Sequence, residues 1–191
     1  MTAAALSVLA LGACKQPDTS VSNNQTQGVT DEATVENYSA DNMAAGNMAP
    51  AAVGPDQVYV QNAAASDLFE METSRLALQQ AASPAAKTYA QMMIDEHGKS
   101  SEELRAAAQM AKIPVAAALP ADKQAQVEAL RALRGEQFDR LYLEQQRASH
   151  QDSLAKVNQY LAAAQPGPLK DHASKLTGVV QKHLNSLENI R

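Results

Sequence analysis

The stretch Phe138–Leu161, FDRLYLEQQRASHQDSLAKVNQYL, decides how the rest of the chain is read. Taken in steps of three and four, it gives Asp139, Leu143, Gln146, His150, Leu154, Val157 and Leu161. Side chains at that spacing lie over one another on one face of an α-helix. The first half of the face carries a carboxylate, an amide and an imidazole, and the second half is aliphatic. A face apolar enough to enter a core, with a histidine at its middle, calls for an internal partner for that ring.

The same texture extends on both sides. Alanine, Leu, Gln, Glu and Lys dominate and aromatics are only 4%, so strong helix formers make up most of the chain. The spacing predicts helices over about Asp56–Ala82, Pro84–Lys112, Gly135–Ala164 and Leu169–Asn189. Ser83-Pro84 is a cap followed by a first-turn proline. Pro114 and Pro120 break the chain, and a short helix is expected over Asp122–Leu133. Gln165-Pro166-Gly167-Pro168 is a tight reversal. The fold class is therefore all-α: an antiparallel up-down-up-down four-helix bundle with a short extra helix between helices two and three.

Inward stripes are visible on the other helices. They are Ala63, Ser66, Glu70, Thr73 and Ala77; Ala86, Tyr89, Met93, His97, Ser100 and Leu104; and Leu169, Ala173, Leu176, Val180, His183 and Leu187. A second stripe on helix one, Ala65, Phe69, Glu72 and Leu76, makes Glu72 the rival of Glu70. His97, His150 and His183 each replace an apolar residue in a stripe. Counted from the turns at 1.5 Å per residue, they and Glu70 fall at roughly 20 to 25 Å depth, in one layer. Imidazoles with a carboxylate suit Zn, Fe, Cu or Ni. The competing reading is a buried hydrogen-bond network using Glu70, Gln146, Tyr142 or backbone. Asp139 lies too far along the helix to join the layer and is expected at the opposite end of the bundle. His172 is expected to be exposed, Asp95 and Glu96 to be solvated, and the methionines (Met71, Met92, Met93, Met110) to fill the core.

The N-terminal third reads as an address. Residues 1–13 are small and apolar and end at Cys14, the only cysteine, which excludes an internal disulfide. Leu11-Gly12-Ala13-Cys14 resembles the bacterial lipobox. That resemblance implies acylation of Cys14, attachment to a membrane and, with Lys15 next, sorting to the periplasmic face of the outer membrane. No basic n-region follows Met1, which the reading explains by a start placed too late. Residues 14–55 are polar and aperiodic and read as a disordered tether, leaving 56–191 as the folded domain. A net charge of −5 without clustered Lys and Arg excludes a nucleic-acid footprint.

Phe69-Glu70-Met71-Glu72, Asp95-Glu96-His97, Gly135-Glu136-Gln137-Phe138-Asp139-Arg140-Leu141-Tyr142 with His150, and finally His183, resemble the bacterial domain-of-unknown-function family 4142. The resemblance implies a ferritin-like bundle, in a family commonly labelled as exported or outer-membrane proteins, with no established activity. Di-iron enzymes of ferritin-like fold need Glu three residues before each ligating His. Here those positions are Ile94, Arg147 and Val180, so a di-iron oxidase is disfavoured. The first functional reading is a non-catalytic, lipid-anchored binding or stress-related envelope module. The alternative is a metal-binding protein using Glu70, His97, His150 and His183.

Overall fold

The computed structural model describes residues 53–190. The signal segment 1–13, Cys14 and all but the last residues of the tether lie outside the described residues. Five helices follow in order: α1 (Pro55–Gln80), α2 (Pro84–Met110), α3 (Ala121–Arg131), α4 (Gly135–Ala163) and α5 (Pro168–Glu188). Proline opens α1, α2 and α5, where a missing N–H costs nothing. The Ser83 hydroxyl caps α2 by accepting from the Ala86 N–H at 3.3 Å. α2 ends with Lys112 at φ 58°, and Ile113 N–H reaches back to the Ala108 carbonyl at 2.9 Å. That is a Schellman closure with lysine where glycine is usual. Gly135, at φ 62°, turns the chain into α4.

The bundle is all-α, and α1, α2, α4 and α5 pack as four long helices, each antiparallel to its two neighbours. The short extra helix is where it was expected. Its path differs from up-down-up-down in one respect. Call the Pro55 end of α1 the foot and the α1–α2 turn the head. Asp139, near the start of α4, accepts from the Ala82 and Ser83 N–H groups at 3.1 and 2.8 Å, so α4 starts at the head. At its other end Tyr160 stacks on Tyr59, at the foot. α5 leaves the foot with His172 against Tyr59 and brings Leu187 into the head cluster. The order is up-down-down-up.

The connection between α2 and α4 makes this possible. It climbs the outside of α1: Gln61 donates to the Pro114 carbonyl at 2.8 Å, the Lys123 ammonium sits 4.3 Å from the Phe69 ring, and Arg131 pairs with Glu72 at 2.5 Å. α1 thus carries two working stripes. One faces the bundle, and the other, with Phe69 fully buried, is covered by the α3 segment. A single long crossover is the connectivity of ferritin-like bundles.

The interior is divided by height. Tyr59, Val60, Leu104, Val157, Leu169 and Leu176 belong to an apolar cluster at the foot. Met93, Leu130, Phe138, Tyr142 and Leu187 belong to one at the head. Between them lie buried Asp67, Glu70, Thr73, His97, Gln146, His150 and His183. Met110 departs from expectation: at the end of α2 it is 71% exposed, while Met93 is fully buried.

Candidate metal centre

His97, His150 and His183 come from α2, α4 and α5, and all three side chains are buried. Ring centroids are 5.0, 5.2 and 5.7 Å apart, and one nitrogen of each ring lies within 4.8 Å of the others. The cluster is compatible with a transition-metal site. Each imidazole is held from behind. His97 Nδ1–H donates to Asp67 at 2.8 Å, His150 Nδ1–H to the Gln146 carbonyl at 2.7 Å, and His183 Nε2–H to Glu96 at 3.0 Å.

These outer bonds fix the tautomers, and the inner nitrogens follow. With Nδ1 of His150 and Nε2 of His183 protonated, the neutral rings turn bare lone pairs on each other at 3.0 Å. His97 Nε2 is buried and has no hydrogen-bond partner. Three lone pairs therefore converge without protons to share. Two facing acceptors at that distance need a cation between them, either a proton or a metal ion. Histidines that ligate metals commonly donate their other ring N–H to a carboxylate or carbonyl, as all three do here.

Electrostatics sort the three. Burial pushes the His183 imidazole down to about 3, helped by the neighbouring His97 and His150, with Glu96 opposing. Burial also lowers His150, with Glu70 opposing. In His97 burial is outweighed by the hydrogen bond and charge of Asp67, with Glu70 and Glu96 behind it, so its value is raised. His97 thus holds a proton more readily than its two neighbours, and a metal ion has to displace any proton bound there.

The other expected site residues are placed as follows. Glu70 is 1% exposed with neither carboxylate oxygen hydrogen-bonded; its Oε1 lies 3.9 Å from His150 Nδ1, on the far side from the converging nitrogens. Gln146 donates to Thr73 Oγ1 at 3.1 Å, and the Tyr142 and Ser74 hydroxyls pair at 2.8 Å. Asp139 ties the head turn to α4 rather than sitting at the opposite end. Glu96 is not a free solvated charge, since it holds both His183 and Lys182. His172 is buried rather than exposed: it accepts from Tyr59 and donates to the Ser100 carbonyl. Sequence reasoning missed Asp67. The available signal was its position one turn before Glu70 on the inward face of α1.

A cleft of about 500 Å³ between α1 and α4 opens onto this layer; Tyr59, Asp67, His97, His150 and Tyr160 line it. Among the described residues no helix is long and apolar enough to cross a membrane.

The sequence profile of DUF4142, a domain of unknown function, matches residues 40–190. The chain belongs to the DUF4142 family. None of the curated proteins is significantly similar to it. Among solved structures, it is similar to a DUF305 fragment from Deinococcus radiodurans, with a TM-score of 0.63 at 15% identity, covering 70% of this chain and 93% of that one. A DUF305 protein from Streptomyces coelicolor superimposes with a TM-score of 0.61 at 13% identity, covering 72% and 90%. At such identities the likeness concerns the fold alone. This DUF4142 domain therefore shares its helical architecture with DUF305 domains.

Proposed function

We propose that this DUF4142 domain binds one divalent transition-metal ion through His97 Nε2, His150 Nε2 and His183 Nδ1. One observation carries the reading: three buried imidazoles spend their outer N–H groups on Asp67, Gln146 and Glu96, which leaves His150 Nε2 and His183 Nδ1 facing each other at 3.0 Å and His97 Nε2 without a partner. Buried charge supports a divalent ion. Asp67 and Glu70 are both nearly inaccessible carboxylates, whereas Glu96 has Lys182 as its partner. A dication among neutral imidazoles balances the two carboxylates, and unbalanced buried charge is costly. Imidazole donors suit zinc, copper, nickel and iron. Three protein ligands leave a position open, and Glu70 lies behind the His150 ring, 3.9 Å from its outer nitrogen.

The test is a titration of the metal-free full-length protein with zinc, copper(II) and cobalt(II), followed by calorimetry and, for cobalt, by its visible bands. One ion per chain is expected, with binding lost in both His97→Ala and His150→Ala. Absence of stoichiometric binding by any of the three ions overturns the reading. Attachment to the envelope through an acylated Cys14 belongs to the same proposal and is supported by the Leu11–Cys14 pattern. It is tested by mass spectrometry of the mature N-terminus, where an unmodified Cys14 would refute it.

A further inference from the structure

The four tyrosines of the described residues treat their hydroxyls differently. Tyr142 shares a hydrogen bond with Ser74, and Tyr89 has no partner. Tyr59 and Tyr160 instead donate to bases: Tyr59 to His172 Nδ1 at 2.5 Å, Tyr160 to Asp56 Oδ1 at 2.8 Å. His172 is fixed in the accepting tautomer because its Nε2–H donates to the Ser100 carbonyl at 3.2 Å. The two phenol rings are stacked, 4.2 Å apart and 9° from parallel. Both line the cleft that His97 and His150 also line. From Asp67, which holds His97, to Tyr59 is eight residues of α1, roughly 12 Å.

We propose that Tyr59 and Tyr160 form a one-electron relay along the foot of the cleft, with His172 and Asp56 taking the phenolic protons. The oxidant it serves is hydroxyl radical, which hydrogen peroxide yields on one-electron reduction by a cuprous or ferrous ion; for that source the inference rests on the metal-binding reading. Hydroxyl radical takes one electron from Tyr59 and becomes hydroxide. The Tyr59 O–H bond breaks as its proton crosses to His172 Nδ1, leaving a neutral phenoxyl radical beside an imidazolium. Tyr160 then passes an electron to Tyr59, which recovers its proton from His172, while the Tyr160 proton goes to Asp56. Asp56 is exposed, so the proton reaches solvent, while the radical rests on the buried Tyr160 ring beside the cleft. There a soluble one-electron reductant, ascorbate or a thiol, restores Tyr160 and its proton. A phenol gives up an electron far more easily when its proton leaves with it. Burial, with Asp67 and Tyr160 nearby, raises the Tyr59 phenol well above its ordinary value, so the hydroxyl stays protonated until it is oxidised.

The experiment uses the full chain carrying Tyr38→Phe and Cys14→Ser, metal-free, with ruthenium(III) tris-bipyridine generated by a flash as oxidant. Electron paramagnetic resonance and the phenoxyl absorbance read the radical. Formation is expected to be slower in heavy water, a measurement that needs no further variant. His172→Gln, checked for folding by its melting curve, is expected to slow formation by roughly tenfold or more. Tyr160→Phe should keep the Tyr59 radical but slow its decay with ascorbate. A signal unchanged in Tyr59→Phe/Tyr160→Phe, or residing on Tyr89 or Tyr142, overturns the relay. So does a formation rate indifferent to both heavy water and His172→Gln. A second arm adds copper(I) and hydrogen peroxide to the protein with and without His150→Ala. A flash-driven radical without a peroxide-driven one supports the relay and overturns the metal centre as its source.

Discussion

His172 at the foot of the bundle and His183 at its middle sit on one helix, roughly 16 Å apart, and both are buried. At the foot, each nitrogen of His172 has a protein partner, Tyr59 on one side and Ser100 on the other. At the middle, His183 has a carboxylate behind it and only another bare nitrogen in front. The first ring is complete as a piece of structure. The second, with His97 and His150, has donor capacity that the protein does not consume. What marks a ligand site is therefore unspent lone pairs counted across neighbouring helices, since burial and helical phase are the same for both histidines.

Acid is the largest lever on this comparison. His150, His172 and His183 all have lowered values in the folded state. Below about 6.5, where unfolded histidine protonates, the unfolded chain binds more protons, so stability falls as pH falls. Three such groups together give up to about 4 kcal/mol per pH unit over the window where all stay neutral in the fold. His97 has the opposite sign: its raised value contributes stability below about 6.5 that is lost as pH rises through the folded value. Urea unfolding of the metal-free protein between pH 7 and 4 measures the slope. A flat profile would mean the imidazoles are not buried neutral.

Metal comes next. Saturation at a hundred times the dissociation constant should stabilise by about 2.7 kcal/mol, or about 8 °C in melting temperature. His150→Ala is expected to abolish that shift, whereas His172→Ala should keep it while lowering the metal-free baseline. An equal loss in both would erase the distinction between the two layers. Tyr59→Phe sharpens the foot: it strips His172 Nδ1 of its donor and should cost about 1 to 3 kcal/mol without changing metal stoichiometry. The smallest effect is expected from Lys182→Ala. Its side chain is 58% exposed, so its pair with Glu96 is worth below about 1 kcal/mol, and Glu96 still accepts from His183. Guanidinium titrations of the two variants check both figures.

The mid-bundle layer was legible in the sequence even though the path of the chain was not. His150 stands near the centre of α4, and a residue at the centre of a rod keeps its height when the rod is reversed. Asp139, near one end, changes from foot to head under the same reversal. That is why the histidines were placed together while Asp139 was expected at the wrong end. Glu72 and Glu70 were separable only once α3 was known to cover the Phe69 stripe, which leaves Glu72 beside Arg131 at the surface. His172 was misjudged because its distance from a turn says nothing about which tyrosine reaches it.

Sequence alone determined the five helices, the Ser83-Pro84 start of α2, the all-α class and the shared height of three imidazoles. Those follow from spacing along a single helix, a local property of the backbone. Tertiary structure decided the direction of α4, the tautomers, and which nitrogens meet. Each of these depends on the rotation of a helix about its axis and on partners thirty to over a hundred residues away, such as Asp67 for His97 and Tyr59 for His172. Packing across the whole bundle sets that rotation, and no stretch of chain encodes it by itself.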